Sequence, residues 1–231
     1  MMKDSTIVTP FFKASWLIAQ KDLIAEFRSR EMMSTMAVFA TLSLLIFSFA
    51  LDLDRVARQD AISGVVWVTV AFATILGLNR SMAMEREQGG LDAMLTASIS
   101  RVSIFLGKLV GNFLFSISVG VLLLALAVVL YNLPGLSLWL LVLLPLGTLG
   151  LTTIGTLLAT MTAQTRARDS LLPIVMLPMA LPVVLSVVKA TTAALGNAPL
   201  VDWAPWIEML VLVDLVYLIA CYAMYGFVLE E

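Results

Sequence analysis

Long apolar runs alternate with short polar clusters from one end of the chain to the other. Uninterrupted apolar stretches cover roughly 35–51, 61–79, 104–131, 137–161, 170–188 and 207–228. Each is close to the ~20 helical residues needed to cross ~30 Å of hydrocarbon. Lipid offers an open backbone no hydrogen-bond partner, so a spanning segment must be a helix or part of a closed barrel. The runs are continuous rather than alternating in polarity, which rules out a barrel. The pattern predicts an all-α, polytopic membrane protein with six transmembrane helices, organised as one transmembrane domain over 1–231.

Residues 11–31 follow a different rhythm. Phe12, Trp16, Ala19, Leu23 and Phe27 recur at helical spacing, and Lys21, Asp22, Glu26 and Arg28 fall opposite them. Such a helix lies in the membrane plane with its apolar face in lipid, or sits on a soluble partner. No short apolar core ahead of a small-residue cleavage site precedes it, so the first span is expected to be retained in the mature chain.

Orientation follows from Lys and Arg near the span ends. Lys3, Lys13, Lys21, Arg28, Arg30, Arg80, Arg86, Arg101, Lys108, Arg166 and Arg168 share one side, eleven against the three of Arg55, Arg58 and Lys189. The eleven are expected in the cytoplasm, and six spans return the C-terminus to the same side as the N-terminus.

Composition narrows the chemistry. The chain is 61% hydrophobic and 13% charged, with mean hydropathy +1.00 and net charge −2, which gives no basis for binding nucleic acid. Cys221 is the single cysteine and there is no histidine, so intrachain disulfides, cysteine metal clusters and His-based triads are not available to it. Gly107–Lys108 lacks the earlier glycine and following Ser or Thr of a phosphate-binding loop. An autonomous enzyme is therefore not expected, and any ATP hydrolysis falls to a partner subunit.

The connection 80–103 is the most informative segment. Charged residues through Glu85 and Glu87 end at Gly89 and Gly90, after which Leu91, Met94, Leu95, Ile99 and Val102 recur at helical spacing. The glycines break the chain, and the short amphipathic helix that follows can offer its apolar edge to a groove on a soluble partner or rest on lipid headgroups. Within the membrane, Thr148, Thr152, Thr156 and Thr160 form one stripe with Gly147, Gly150, Gly155 and Ala159 beside it, as suits close helix packing or a polar lining. Gly107 and Gly111 form a GxxxG pair. Pro173, Pro178 and Pro182 in one span predict a kinked or broken helix and a candidate hinge. Asp214 is an intramembrane acid, either functional or bonded to headgroups or a neighbouring helix. Residues 195–206 are expected to be an outer loop, and Trp67, Trp139, Trp203 and Trp206 an outer aromatic belt.

Three collinear segments carry a family resemblance. They are Lys21–Glu31 leading into Ile46–Leu51, Leu76–Arg80 running through Glu85–Gly89 to Leu106–Asn112, and Leu177–Val183. Together they resemble the CcmB family, the membrane subunit of the cytochrome c maturation ABC transporter, across nearly the whole chain. Thr96–Ser100, where the family often carries a proline, is a departure. The resemblance implies an ABC-2 type exporter fold in the bacterial cytoplasmic (inner) membrane. It also implies a second copy of the chain, a CcmA-type ATPase, and CcmC- and CcmD-like membrane proteins. Haem would be the transported or handled ligand, with no covalently bound cofactor and ATP used through the partner. Glu85, Gly89 and Leu91 would belong to the loop that meets the ATPase, joined on pattern by Met94 and Leu95. A general ABC-2 exporter of drug or lipid, and a non-transporting scaffold relaying ATPase motion to a haem-loading partner, are the competing readings.

The charge asymmetry gives a direct test. In a Cys221→Ala background, cysteines placed at Asp54 and Gly196 should react with a membrane-impermeant thiol reagent on intact cells, and a cysteine at Arg86 should not. External labelling at position 86 would reverse the orientation.

Overall fold

The computed structural model describes residues 11–50, 55–87, 89–90, 100–131, 138–162 and 168–228, with side chains for all of these but 55–60, 168–169 and 225–228. Among the described residues there are seven helices: α1 Phe11–Ser29, α2 Glu31–Ala50, α3 Arg55–Glu87, α4 Arg101–Tyr131, α5 Leu138–Thr162, α6 Arg168–Leu195 and α7 Leu200–Val228. Six of them, α2 to α7, are long and apolar enough to cross a membrane. The fold is all-helical, as the hydropathy pattern predicts.

Helices α3 and α5 are the most enclosed, and α2 and α7 the most peripheral. Helix α5 touches α3, α4, α6 and α7, while α2 rests on α3 and α4, and α1 lies mainly along α4. The outer helices turn Val38, Ile46, Phe49, Leu212, Val216 and Ile219 outward, which suits lipid-facing walls.

Helix α1 divides its surface three ways. Ala14, Ser15, Ile18, Ala19 and Glu26 are buried against the bundle. Phe12, Trp16 and Phe27 are exposed on a second face, and Lys21 and Arg28 on a third. The sequence pattern placed Asp22 and Glu26 on the water side and Ala19 in the lipid. The structure instead turns all three toward protein: a buried cation on α4 pairs with Asp22, Met33 N–H donates to Glu26, and a small residue lets the helices approach.

That approach depends on Gly107. A Cβ there would lie 2.7 Å from the Ser15 backbone carbonyl, which cannot move aside as a flexible side chain can. Gly111 faces Asp22 one turn further on. The GxxxG pair is thus the seat of α1.

Helix ends explain several shifted boundaries. Helix α3 continues through the charge run 80–87 and stops just before Gly89, whose φ of +62° provides a left-handed C-terminal turn. Asn197, with φ 54°, ends α6, and Ala198 N–H donates to Ala193 O at 3.0 Å. Helix α7 then begins at Leu200, so Trp203 and Trp206 are helical and the expected outer loop shrinks to four residues, 196–199. The aromatic belt is also smaller than the sequence suggests. Trp67 and Trp203 are buried; Trp67 Nε1–H donates to Thr191 Oγ1 at 2.9 Å, and Trp203 stacks edge-on with Trp139 at 5.1 Å.

Helix α6 runs unbroken through Pro173, Pro178 and Pro182. Two hydroxyl groups also bond carbonyls of this helix: Ser186 Oγ–H donates to Pro182 O at 2.7 Å, and Tyr217 O–H of α7 donates to Met179 O at 2.5 Å. The expectation of a break is thereby corrected: the helix is continuous, although the carbonyls four residues before each proline, those of Asp169, Ile174 and Pro178, lack the usual intrahelical N–H partner.

Replacing Gly107 by Val should lower the stability of the solubilised chain by about 1–3 kcal/mol through overpacking against α1. Gly64, with open space where its Cβ would sit, is the control, and Gly64→Ala should not destabilise. Equal melting temperatures for the two variants would show that α1 is not seated on Gly107.

Candidate functional site: a buried ion cluster beside the coupling segment

Four ionisable side chains from three helices meet at the end of α3. Lys108 Nζ of α4 lies 2.9 Å from Asp22 Oδ2 of α1 and pairs with Glu85 of α3. Lys21 Nζ of α1 lies 2.5 Å from Glu85 Oε1 and 3.3 Å from Asp22 Oδ1. The Lys108 side chain is 2% exposed and that of Glu85 9%, whereas Lys21 is half exposed. Two lysines and two carboxylates give a neutral cluster, the condition under which charge survives at a membrane edge.

Local sequence places each member. Asp22 projects from the protein face of α1, four residues ahead of Glu26. Glu85 sits on the last turns of α3, and Lys108 one turn into the apolar part of α4 between Gly107 and Gly111. The small flanking residues let α1 reach the ammonium. Burial opposes the positive charge of Lys21, but the hydrogen bond to Glu85 and the charge of Asp22 outweigh it, and its pKa rises above the ordinary lysine value. A raised lysine pKa keeps its contribution below the unfolded value and loses it only as pH climbs through the folded one. The Lys21 charge therefore persists at neutral pH.

Two further contacts hold the same corner. Glu26, buried in α1, accepts a hydrogen bond from Met33 N–H at 2.7 Å, so a carboxylate caps the start of α2. Arg80 of α3 pairs with Glu31 at the head of α2. A cavity of about 50 Å³ bounded by Asp22, Glu26, Ser81 and Glu85 admits water to the edge of the charges.

Of the sequence-derived coupling residues, Glu85 is in this cluster, and Gly89 and Gly90 follow it. A Cβ at Gly90 would strike the Glu85 carboxylate. Leu91, Met94 and Leu95 lie outside the described residues. The threonine stripe is buried in α5 and bonds largely to its own helix. Thr148 Oγ1–H donates to Leu144 O, Thr152 to Thr148 O and Thr160 to Thr156 O, while Thr156 Oγ1 accepts from Asn112 Nδ2–H at 3.1 Å. Asp214, midway along α7, is buried against Gly150 of α5 and Val183 of α6, with no hydrogen-bond partner on either carboxylate oxygen. Among the described residues it bonds no neighbouring helix. Pro173, Pro178 and Pro182 are remote in sequence from the cluster and in the middle of α6. Among the described residues no group of three or more Cys, Asp or Glu side chains is placed to hold a metal ion.

Sequence reasoning did not single out Lys108, Asp22, Glu26 or Asn112 as site residues. The signal was present: a lysine on a glycine-lined face of an apolar helix requires an acid nearby.

Fold and site together define a multi-pass helical membrane protein with a charge-clamped helix at one membrane edge. The CcmB protein family model matches residues 13–227, and the chain belongs to the CcmB family. It is similar to heme exporter protein B of Rhodobacter capsulatus, 35% identical over 121 residues, which is 52% of this chain and 56% of that protein. It is also similar to heme exporter protein B of Pseudomonas aeruginosa, 26% identical over 197 residues, or 85% of this chain and 88% of that protein. The first of these alignments thus spans little more than half the length of the relative.

Breaking a buried ion pair by removing one partner costs about 3–5 kcal/mol. Lys108→Met, which strands Asp22 and Glu85, should destabilise the chain by about that much. Lys108→Met combined with Glu85→Gln should recover part of the loss. Thermal unfolding of the single and double variants measures both, and strictly additive losses would show that the two groups do not act as a pair.

Proposed function

We propose that this chain is the membrane permease subunit of an ABC exporter complex for haem export or haem delivery in c-type cytochrome biogenesis. It resides in the bacterial cytoplasmic membrane with both termini in the cytoplasm. ATP is hydrolysed by a separate CcmA-type subunit, and the complex includes a second copy of the chain with CcmC- and CcmD-like proteins. Family membership and the names of both relatives support this reading.

The observation that carries the mechanism is the ion cluster. The segment 80–103 leaves α3 just after Glu85 and enters α4 a few residues before Lys108, and both residues are tied to α1. A partner that pushes on Leu91, Met94 and Leu95 therefore moves the end of α3, the start of α4 and α1 as one unit, a rigid-body coupling. Helix α6, with backbone donors missing at Pro173, Pro178 and Pro182, is the segment that bends in response. With no histidine, the chain handles haem without His ligation.

The relay reading, in which ATPase motion is passed to a haem-loading partner without transport through this chain, is favoured by one observation. Thr148, Thr152, Thr156, Thr160 and Asp214 are all buried among packed helices rather than along an open passage. Flux of labelled haem through the reconstituted complex separates it from transport.

Each leucine of the contact edge contributes about 1.5–3 kcal/mol when buried in a partner. Leu91→Asp with Leu95→Asp should release the ATPase in co-purification and abolish cytochrome c maturation, with membrane insertion unchanged. Normal co-purification of the double variant would overturn the coupling role.

A further inference from the structure

Beside the ion cluster a groove of about 390 Å³ runs between α1, α2 and α4, within the size range of small-molecule sites. Leu23, Phe27 and Leu114 form its apolar walls, and Arg30 and Ser118 lie at its polar margin. Phe27 is 76% exposed and Leu114 is also exposed, so the walls merge with the lipid-facing surface.

Arg30 is the notable member. It is the single residue between α1 and α2, with φ 57°, a conformation that glycine adopts more readily than any side-chain-bearing residue. Helix α2 begins a membrane span at Glu31, which puts Arg30 at headgroup depth. Among the described residues Arg30 forms no ion pair. The two nearby carboxylates are engaged elsewhere: Glu26 caps Met33 N–H and Glu31 pairs with Arg80. An exposed guanidinium thus stands over a largely apolar groove that opens to lipid; Glu26 also lines the groove with its carboxylate on Met33 N–H, and among the described residues no carboxylate pairs with Arg30.

We infer that this groove binds an anionic phospholipid, one acyl chain lying against Leu23, Phe27 and Leu114 and the phosphate held by Arg30. The guanidinium offers paired donors that match a phosphate's oxygens. A zwitterionic lipid fills the same groove, but its own ammonium cancels much of the attraction. Anionic headgroups are therefore selected by the cation and the chain by the groove.

The test is site-resolved photolabelling of the full chain in nanodiscs, using phosphatidylglycerol or phosphatidylcholine with a diazirine on the same acyl chain. One basic residue near an anionic surface gives a preference of about fivefold. Labelling of peptides 23–34 and 114–118 by phosphatidylglycerol should exceed that by phosphatidylcholine by this factor. Arg30→Gly, which suits the positive φ, should label equally with both lipids, and Arg30→Lys should keep most of the preference. Ser118→Phe, which fills the groove from α4, should label with neither. Equal labelling of the unaltered chain, an undiminished preference in Arg30→Gly, or full labelling of Ser118→Phe would each overturn the site.

Discussion

A lysine ammonium that is almost wholly enclosed at the edge of a membrane needs opposite charge within reach. The effective penalty for removing an ion from water is several kcal/mol even after relaxation. Lys108 meets that requirement with one carboxylate from each of two other helices, Asp22 and Glu85. Much of the corner follows. Helix α1 must lie close enough to deliver Asp22, so Gly107 and Gly111 face it without side chains. Helix α3 must extend past its apolar stretch to deliver Glu85, so it continues to Glu87 before Gly89 ends it. Lys21 then balances the second carboxylate.

The rest of the bundle is held by a different economy. Helix association in lipid gains little from the hydrophobic effect and relies on close contact and local hydrogen bonds. Gly147 meets the ring of Trp67, Gly150 meets Asp214, and Gly155 meets Leu78 and Met176, so α5 presents its glycines to three neighbouring helices. Its threonines turn their hydroxyls back to their own carbonyls, which removes polar groups from the contact surface. Asn112 to Thr156 is an interhelical bond between side chains in this region. Asp214 is the exception, a carboxylate among apolar neighbours.

Spans, their number and the separate first helix are legible from hydropathy because each depends on local composition. The break at Gly89 is equally local. What hydropathy cannot convey is which face of α1 meets protein, because that depends on Lys108, distant in sequence. The periodicity of Phe12, Trp16 and Phe27 finds an exposed apolar face, but treating the opposite side as watery overlooks a third environment, the protein contact. Prolines in α6 do not break it, and its contacts with other helices, such as Tyr217 O–H on Met179 O, are equally invisible to a local pattern. Pro199 and Pro205 suggest a long outer loop around Trp203, yet the turn is complete within a few residues because Asn197 accepts a left-handed conformation.

The clamp also orders events during synthesis. Domains and helices emerge from the ribosome N-terminus first. Asp22 and Glu26 therefore appear long before Lys108 exists, and α1 has no cationic seat while α2 and α3 are entering the bilayer. Its aromatics Phe12, Trp16 and Phe27 stay exposed even in the finished fold, so they do not depend on that seat. Only when α4 inserts does the helix gain its seat, so the N-terminal element locks into place after the chain's midpoint is being made. A ribosome-bound intermediate truncated before α4 would carry α1 as an undocked arm.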